Sequence, residues 1–342
     1  MSRPNSKYRA IRDVADTQLG LITAAQLAEI GVHSGTTSRR SLGGMWTRVL
    51  PGVHLVDGGQ PSRLQRERAT LLYAGDPSAL TGLTGCRHFG VRALGMQQYR
   101  DDHSDTPEPV HALIPHERRR SSTGFVRAER THRFPADLVR RNGLALAPLP
   151  RSVGDAARRL RSARDVLELV AEVVQRGMVT MEELERELRE GPRRGSALLR
   201  DALALVAQGA HSASEGDLVR LITHAGIPSA YFNVRLVTSA GQFVAIADCW
   251  LDDVGLPIEA DSRAHHADQI GFERTVRRNA RYAAAGAAPF TVLPTDLVAR
   301  PQGVLAEILR ARDAAAARGR PDLHMETSLP RSAGVTPWRW GA

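Results

Sequence analysis

A mixed α+β protein of more than one unit is what this sequence predicts, on three observations. The first 60 residues read helix, helix, short polar helix, hairpin; residues 211–320 read α-β-β-β-α-β-α; and the interval mixes strands and a helix (61–150) with a helical stretch rich in Ala, Leu, Arg and Glu (151–210). At 342 residues the chain is long for one average domain and short for four. Residues 321–342, with their prolines, read as a loose tail.

The elements follow from local chemistry. Ile11, Val14 and Leu19 recur at helical spacing, and Gly20 is a stop. Thr23-Ala-Ala-Gln26 is a capping-box pattern, in which hydroxyl and amide satisfy free backbone amides, and Gly31 closes that second helix after Leu27 and Ile30. Ser34 can cap a third helix, GTTSRRSL, ended by Gly43-Gly44. MWTRVLPGVHLV then carries β-formers on both sides of Pro51-Gly52, a hairpin pattern. This is the order of a winged helix-turn-helix, whose second motif helix enters the major groove while wing residues touch phosphates. It assigns Thr36, Thr37, Ser38, Arg39 and Arg40 to the reading surface and Arg48 and His54 to the wing, with Trp46, Val49 and Val53 as packing residues.

A helix at 62–74 and strands at VHALIP and GFVRAER, separated by an arginine-rich turn, occupy the middle. Leu167, Val170, Val174, Leu184 and Leu188 mark helices beyond it. The last region opens on an amphipathic helix, SEGDLVRLITHAG, followed by strands YFNVRLVT, QFVAIADCWL and GLPIEADS. The long helix ADQIGFERTVRRNARYAAAG, the strand APFTVLPT and the helix VLAEILRARDAA complete it.

Composition narrows the partners. A net charge of +9 suits a polyanion, since neutralising phosphates releases counterions. Lys7 is the only lysine, and the arginine, Ala, Gly and Pro usage also matches high-GC coding. The densest excess is residues 117–141, with eight arginines against three acids. Cys86 and Cys249 make neither a disulfide framework nor a CxxC pair. No stretch is apolar enough for a signal peptide core or a membrane span, so a soluble, cytoplasmic protein with no membrane partner is expected.

Three acids carry the most chemistry. Asp248 ends the apolar alternation FVAIAD, and Glu259 and Asp261 share one face of the next strand because side chains repeat every two residues. Brought together through the LDDVGL turn, they would repel unless a cation or a shared proton compensated; hard oxygen ligands suit Mg²⁺ or Mn²⁺, which can polarise a phosphate and activate water. Glu215 can reach the same sheet edge, although Ser212-Ala-Ser-Glu215 is also a capping box that needs the glutamate only for the helix start. Asp252 and Asp253 are turn residues.

SASEGDLVRLI, IADCW and IEADSRAHH followed by a helix with RR resemble the PD-(D/E)XK nuclease superfamily, in particular the domain related to very-short-patch-repair endonucleases. The resemblance implies a restriction-endonuclease-like α/β/α domain over about residues 211–318. It also implies a catalytic set of Glu215, Asp248, Glu259, Asp261 and His265 or His266, with metal on Asp248, Glu259 and Asp261. Ser262 stands where that family has glycine, and the superfamily lysine has no counterpart, which leaves His265, His266 or an arginine such as Arg278 as base or charge stabiliser. QLGLITAAQLAEIGV with GGMWTRVLPGVHLV resembles the N-terminal domain of AbiEi-type antitoxins of type IV toxin–antitoxin systems. That implies operator binding for autoregulation and a nucleotidyltransferase toxin as partner. Three readings stay open: a DNA-binding antitoxin or regulator in phage defence or transcriptional control, a Mg²⁺-dependent endonuclease targeted by its winged helix, and a protein-interaction antitoxin whose nuclease fold is a relic.

Overall fold

The structure, a computed structural model, describes residues 4–33, 35, 44–92, 108–260 and 269–326. The fold is α+β, with three sheets among the described residues. The chain divides into two compact units, residues 1–160 with 182–195, and residues 161–181 with 196–342. No helix of the described residues is long and apolar enough to cross a membrane.

The first unit opens with α1 (Pro4–Asp16). Leu19 and Gly20, with φ of 61° and 80°, turn the chain into β1 (Leu21–Thr23). Thr23 Oγ1 accepts from Gln26 N at 3.2 Å and Gln26 Oε1 accepts from Thr23 N at 2.9 Å, so the capping box that starts α2 (Ala24–Glu29) forms as the sequence implies. GTTSRRSL lies, apart from Gly35, outside the described residues. β2 (Thr47–Leu50) and β3 (Val53–Leu55) form the hairpin, and Gly52 takes the left-handed φ of 74° at its tip. β1, absent from the sequence reading, pairs with β3 to give an antiparallel sheet in the order β1-β3-β2. Ile11, Ala15, Ile22, Leu27, Trp46 and Val56 form the small core beneath.

Ser62 and Gln65 form a second capping box at the start of α3 (Arg63–Ala74). There follow β4 (Ala79–Leu80), α4 (Gly82–His88), β5 (Val110–Pro115), β6 (Val126–Thr131), β7 (Val139–Arg141), β8 (Leu144–Leu146) and α5 (Leu149–Ala157). The five strands form a sheet in the order β6-β5-β4-β8-β7. VHALIP and GFVRAER are strands, as expected, but run parallel, Val110 opposite Val126, so residues 116–125 return along the sheet rather than closing a tight turn. The chain leaves for the second unit through α6 (Ala163–Gln175) and returns for α7 (Met181–Glu190).

One core joins both sheets of this unit. Leu21, Leu50, Val53 and Leu55 pack with Leu80, Val110, Phe125 and Leu146, across the boundary that the sequence places near residue 60. Excising the first 60 residues would remove four side chains from this core, each worth about 1.5–3 kcal/mol of burial. A charged network ties α5 and α7 down: Asp155, 1% exposed, accepts from Thr81 Oγ1 at 2.6 Å, Arg151 Nε at 2.9 Å and Arg158 Nη1 at 2.9 Å. Glu187 of α7 bonds Arg133 beside it.

The second unit continues with α8 (Ala197–Ala207), α9 (Ala213–His224), β9 (Ala230–Val237), β10 (Phe243–Leu251), β11 (Leu256–Ala260), α10 (Gln269–Ala284), β12 (Phe290–Val292), α11 (Pro294–Ala299), α12 (Pro301–Arg318) and β13 (His324–Met325). β9, β10 and β11 form an antiparallel meander; β11 pairs in parallel with β12, so a crossover must link them, and α10 lies in it. α9 packs hard on α6 at Gly216, where a Cβ would sit 2.3 Å from Leu167 Cδ2. The segment read as loose from residue 321 begins otherwise: Leu323 is fully buried and β13 adds to the sheet edge at β9, in the order β12-β11-β10-β9-β13. Its apolar Leu323, at 0% exposure, provides the drive to dock that prolines alone obscure.

Candidate functional site

Two places gather residues singled out from the sequence, one in each unit. In the second unit, Cys249 of β10 pairs with Ile258 of β11, which sets Asp248 and Glu259 opposite each other one step along the ladder. Asp248 Oδ2 accepts the amide of Ala260 at 2.8 Å. Glu259 is fully buried, and both its oxygens are engaged: Oε2 accepts from Arg278 Nη1 at 2.7 Å and Oε1 from the Tyr282 hydroxyl at 2.6 Å. Arg278 and Tyr282, four residues apart on α10, present one helix face to the sheet.

Ser212 is the N-cap of α9, and the expected capping box is incomplete, because the Glu215 carboxylate accepts from the His211 amide rather than the Ser212 amide. The Glu215 backbone N–H donates to Ser212 Oγ at 3.2 Å, and its carboxylate accepts from Ser212 Oγ at 3.0 Å, from His211 N at 2.8 Å and from Asn233 Nδ2 at 3.1 Å. The same carboxylate acts electrostatically on Asp248. Burial first, then the charges of Glu259 and Glu215, push the Asp248 carboxyl up to about 8; the Ala260 amide and Arg278 pull the other way. Burial and the neighbouring Glu259 likewise hold the Tyr282 phenol protonated, as a donor. Three clustered acids are thus balanced by one guanidinium and one retained proton. Asp261, His265 and His266 lie outside the described residues.

Among the described residues the expected ligands Asp248 and Glu259 are already engaged by protein donors. Glu259 accepts from Arg278 and Tyr282, Glu215 accepts from Ser212, His211 and Asn233, and Asp248 accepts from the Ala260 amide through Oδ2. No cluster of three or more His, Cys, Asp or Glu side chains among the described residues is arranged to hold a metal. Asp252 and Asp253 are turn residues: Asp252 Oδ1 accepts from Trp250 Nε1 at 2.9 Å, and Asp253 pairs with Arg312.

In the first unit, Arg48 stands exposed on β2, directly opposite His54 of β3. His54 does not belong to the outer wing surface as its position in the hairpin implies. It is 7% exposed, its ring lies 6.3 Å from that of Trp46, and burial, then the charge of Arg48, lower its pKa. β3 is the central strand of its sheet, and all three of its residues are buried. Trp46 and Val53 pack in the core as expected. Thr36, Thr37, Ser38, Arg39 and Arg40 lie outside the described residues.

No family model and no curated protein matches the chain. Among solved structures, the crystal structure of the RV2827C protein from Mycobacterium tuberculosis is similar at 19% identity, over 64% of this chain and 81% of that one, with a TM-score of 0.38. A likeness at that level bears on no functional argument.

Two residues of the acid centre escaped the sequence reading. Tyr282 was legible from its four-residue spacing from Arg278 on a helix next to buried acid. Asn233, whose φ of 53° turns its amide toward Glu215 and His211 from inside a strand, has no local sequence signal.

Proposed function

We propose that this chain is a DNA-binding protein of regulator or antitoxin type. Its N-terminal winged helix docks on duplex DNA, and its second unit is a restriction-endonuclease-like fold that does not cleave. The observation that carries the DNA reading is the β1-β3-β2 sheet with its exposed Arg48 hairpin following α1 and α2, the order in which a winged helix is built. The resemblance to antitoxins adds operator autoregulation, a role in phage defence and a nucleotidyltransferase toxin as partner. The non-cleaving reading rests on Glu259, held by Arg278 and Tyr282 where a nuclease would hold Mg²⁺ or Mn²⁺.

A second reading, a Mg²⁺-dependent endonuclease, is favoured by the convergence of Glu215 and Glu259 on Asp248. It requires Arg278 to release Glu259. Incubating the full chain with supercoiled plasmid and 10 mM Mg²⁺ or Mn²⁺ separates the two. The regulator reading expects binding without nicking; metal-dependent nicking that Asp248→Asn abolishes favours the endonuclease. The full chain is the right reagent, because residues 1–60 share their core with the five-stranded sheet.

A further inference from the structure

We propose that the connection between β5 and β6, with the outer strand β6, extends the wing into a longer, sequence-independent contact with the phosphates of duplex DNA. The inference rests on the DNA-binding reading above and adds a surface to it.

The connection is held in a fixed place. At one end the Tyr73 hydroxyl of α3 donates to Ser121 O at 2.9 Å, and the Arg118 guanidinium lies against Gly75, the residue that ends α3. At the other end a Cβ on Gly124 would sit 4.0 Å from Leu50 of β2, and Phe125 shares a core with Leu50 and Val53. The arginine-rich segment therefore adjoins the hairpin that carries Arg48, within one compact unit. β6 is the edge strand of its sheet.

Arginines of this unit fall into two groups, those paired with an acid and those that make no ion pair among the described residues. Arg87, Arg133, Arg151, Arg158 and Arg159 are each paired with an acid. Arg119, Arg120 and Arg130 are exposed and make no ion pair among the described residues; Arg120 lies over the Tyr73 ring at 5.4 Å. Neighbouring guanidinium groups without counter-charge repel one another, and a row of phosphates relieves that repulsion while accepting their planar donors. Among the described residues no polar partner orients these side chains, so they suit backbone phosphates rather than base edges.

The test is binding of the full chain to fluorescein-labelled duplexes, by anisotropy, between 50 and 200 mM salt. It compares wild type with the triple variant Arg119→Ala, Arg120→Ala, Arg130→Ala on two unrelated sequences. Three lost phosphate contacts should flatten the log–log salt slope by about 2.7, so that wild-type affinity falls about 40-fold further than the variant's over that range. Both sequences should be affected alike, with an unchanged circular dichroism melt, and the corresponding triple lysine variant should restore the slope. Wild-type slope and affinity in the alanine variant would overturn this surface and leave the wing reading standing. Loss on one sequence alone would overturn the phosphate assignment. Loss of an acidic protein partner with DNA binding unchanged would also overturn it. A wild-type chain without affinity for any duplex would instead overturn the DNA reading itself.

Discussion

Replacing Arg278 by methionine removes the positive charge from a carboxylate that is fully buried and keeps the Tyr282 hydroxyl as a donor to it. Breaking a buried ion pair by removing one partner typically costs about 3–5 kcal/mol, because the other charge is left uncompensated. The Arg278 side chain keeps 18% of its exposure, so water can partly replace it, and the lower end, about 3 kcal/mol, is the expected loss. For a folded unit of this size that corresponds to a fall in Tm of about 6–12 °C. Adding Glu259→Gln should recover most of it, since the pair is then replaced by neutral groups of similar volume. Thermal melts followed by circular dichroism would read both effects. The same melts with 10 mM Mg²⁺ probe the vacated position: the single variant frees Glu259 beside Asp248, and a cation bound with a Kd near 1 mM would raise its stability by about 1.4 kcal/mol, while wild type is unmoved. A Tm within about 2 °C of wild type in the single variant would refute the reasoning, because Glu259 would then not depend on Arg278.

Other expectations follow from the same structure. The raised pKa of Asp248, about 8, means that the folded protein holds a proton that the unfolded chain releases near pH 4. Its contribution is fully present below about pH 4 and is lost as pH rises toward 8, so Asp248→Asn should flatten the fall in stability between pH 5 and 8; an identical pH profile would count against the shift. His111, 3% exposed with Nδ1 unpartnered, has its pKa lowered to about 3 by burial and then by Arg159, Arg127 and Arg87. The unfolded state takes up that proton near pH 6.5, so stability is lost as pH falls from there toward 3; an NMR titration of His111 with a midpoint above pH 6 would contradict this. Trp46→Ala should destabilise the first unit by about 3–5 kcal/mol in denaturant melts, as loss of a buried aromatic does, whereas exposed Arg48→Ala should leave the melt unchanged.

How much of this was legible follows from where the determinants lie along the chain. Capping boxes at Thr23 and Ser62 and the left-handed Gly52 are encoded within four residues, so α2, α3 and the hairpin could be read directly. β1 is three residues long and owes its strand state to pairing with β3, which no local pattern announces. The parallel pairing of β5 with β6, the docking of Leu323 and the burial of His54 depend on neighbours distant in sequence. The acid centre divides in the same way. Alternation along β10 and β11 brings Asp248 to Glu259, as period-two spacing implies. That Glu259 is neutralised by Arg278 and Tyr282 depends on how α10 crosses back over the sheet, which the sequence does not spell out.

The most direct measurement is binding of the full-length chain to duplex DNA across salt concentrations, with Arg39→Ala, Arg40→Ala and Arg48→Ala combined against wild type. Tight binding at 50 mM salt, weakening steeply as salt rises and flattening by roughly one unit of slope per contact removed in the variant, is the result expected of a winged helix seated on phosphates. Equal affinity and equal slope in wild type and variant, or no binding at 50 mM salt, would contradict it.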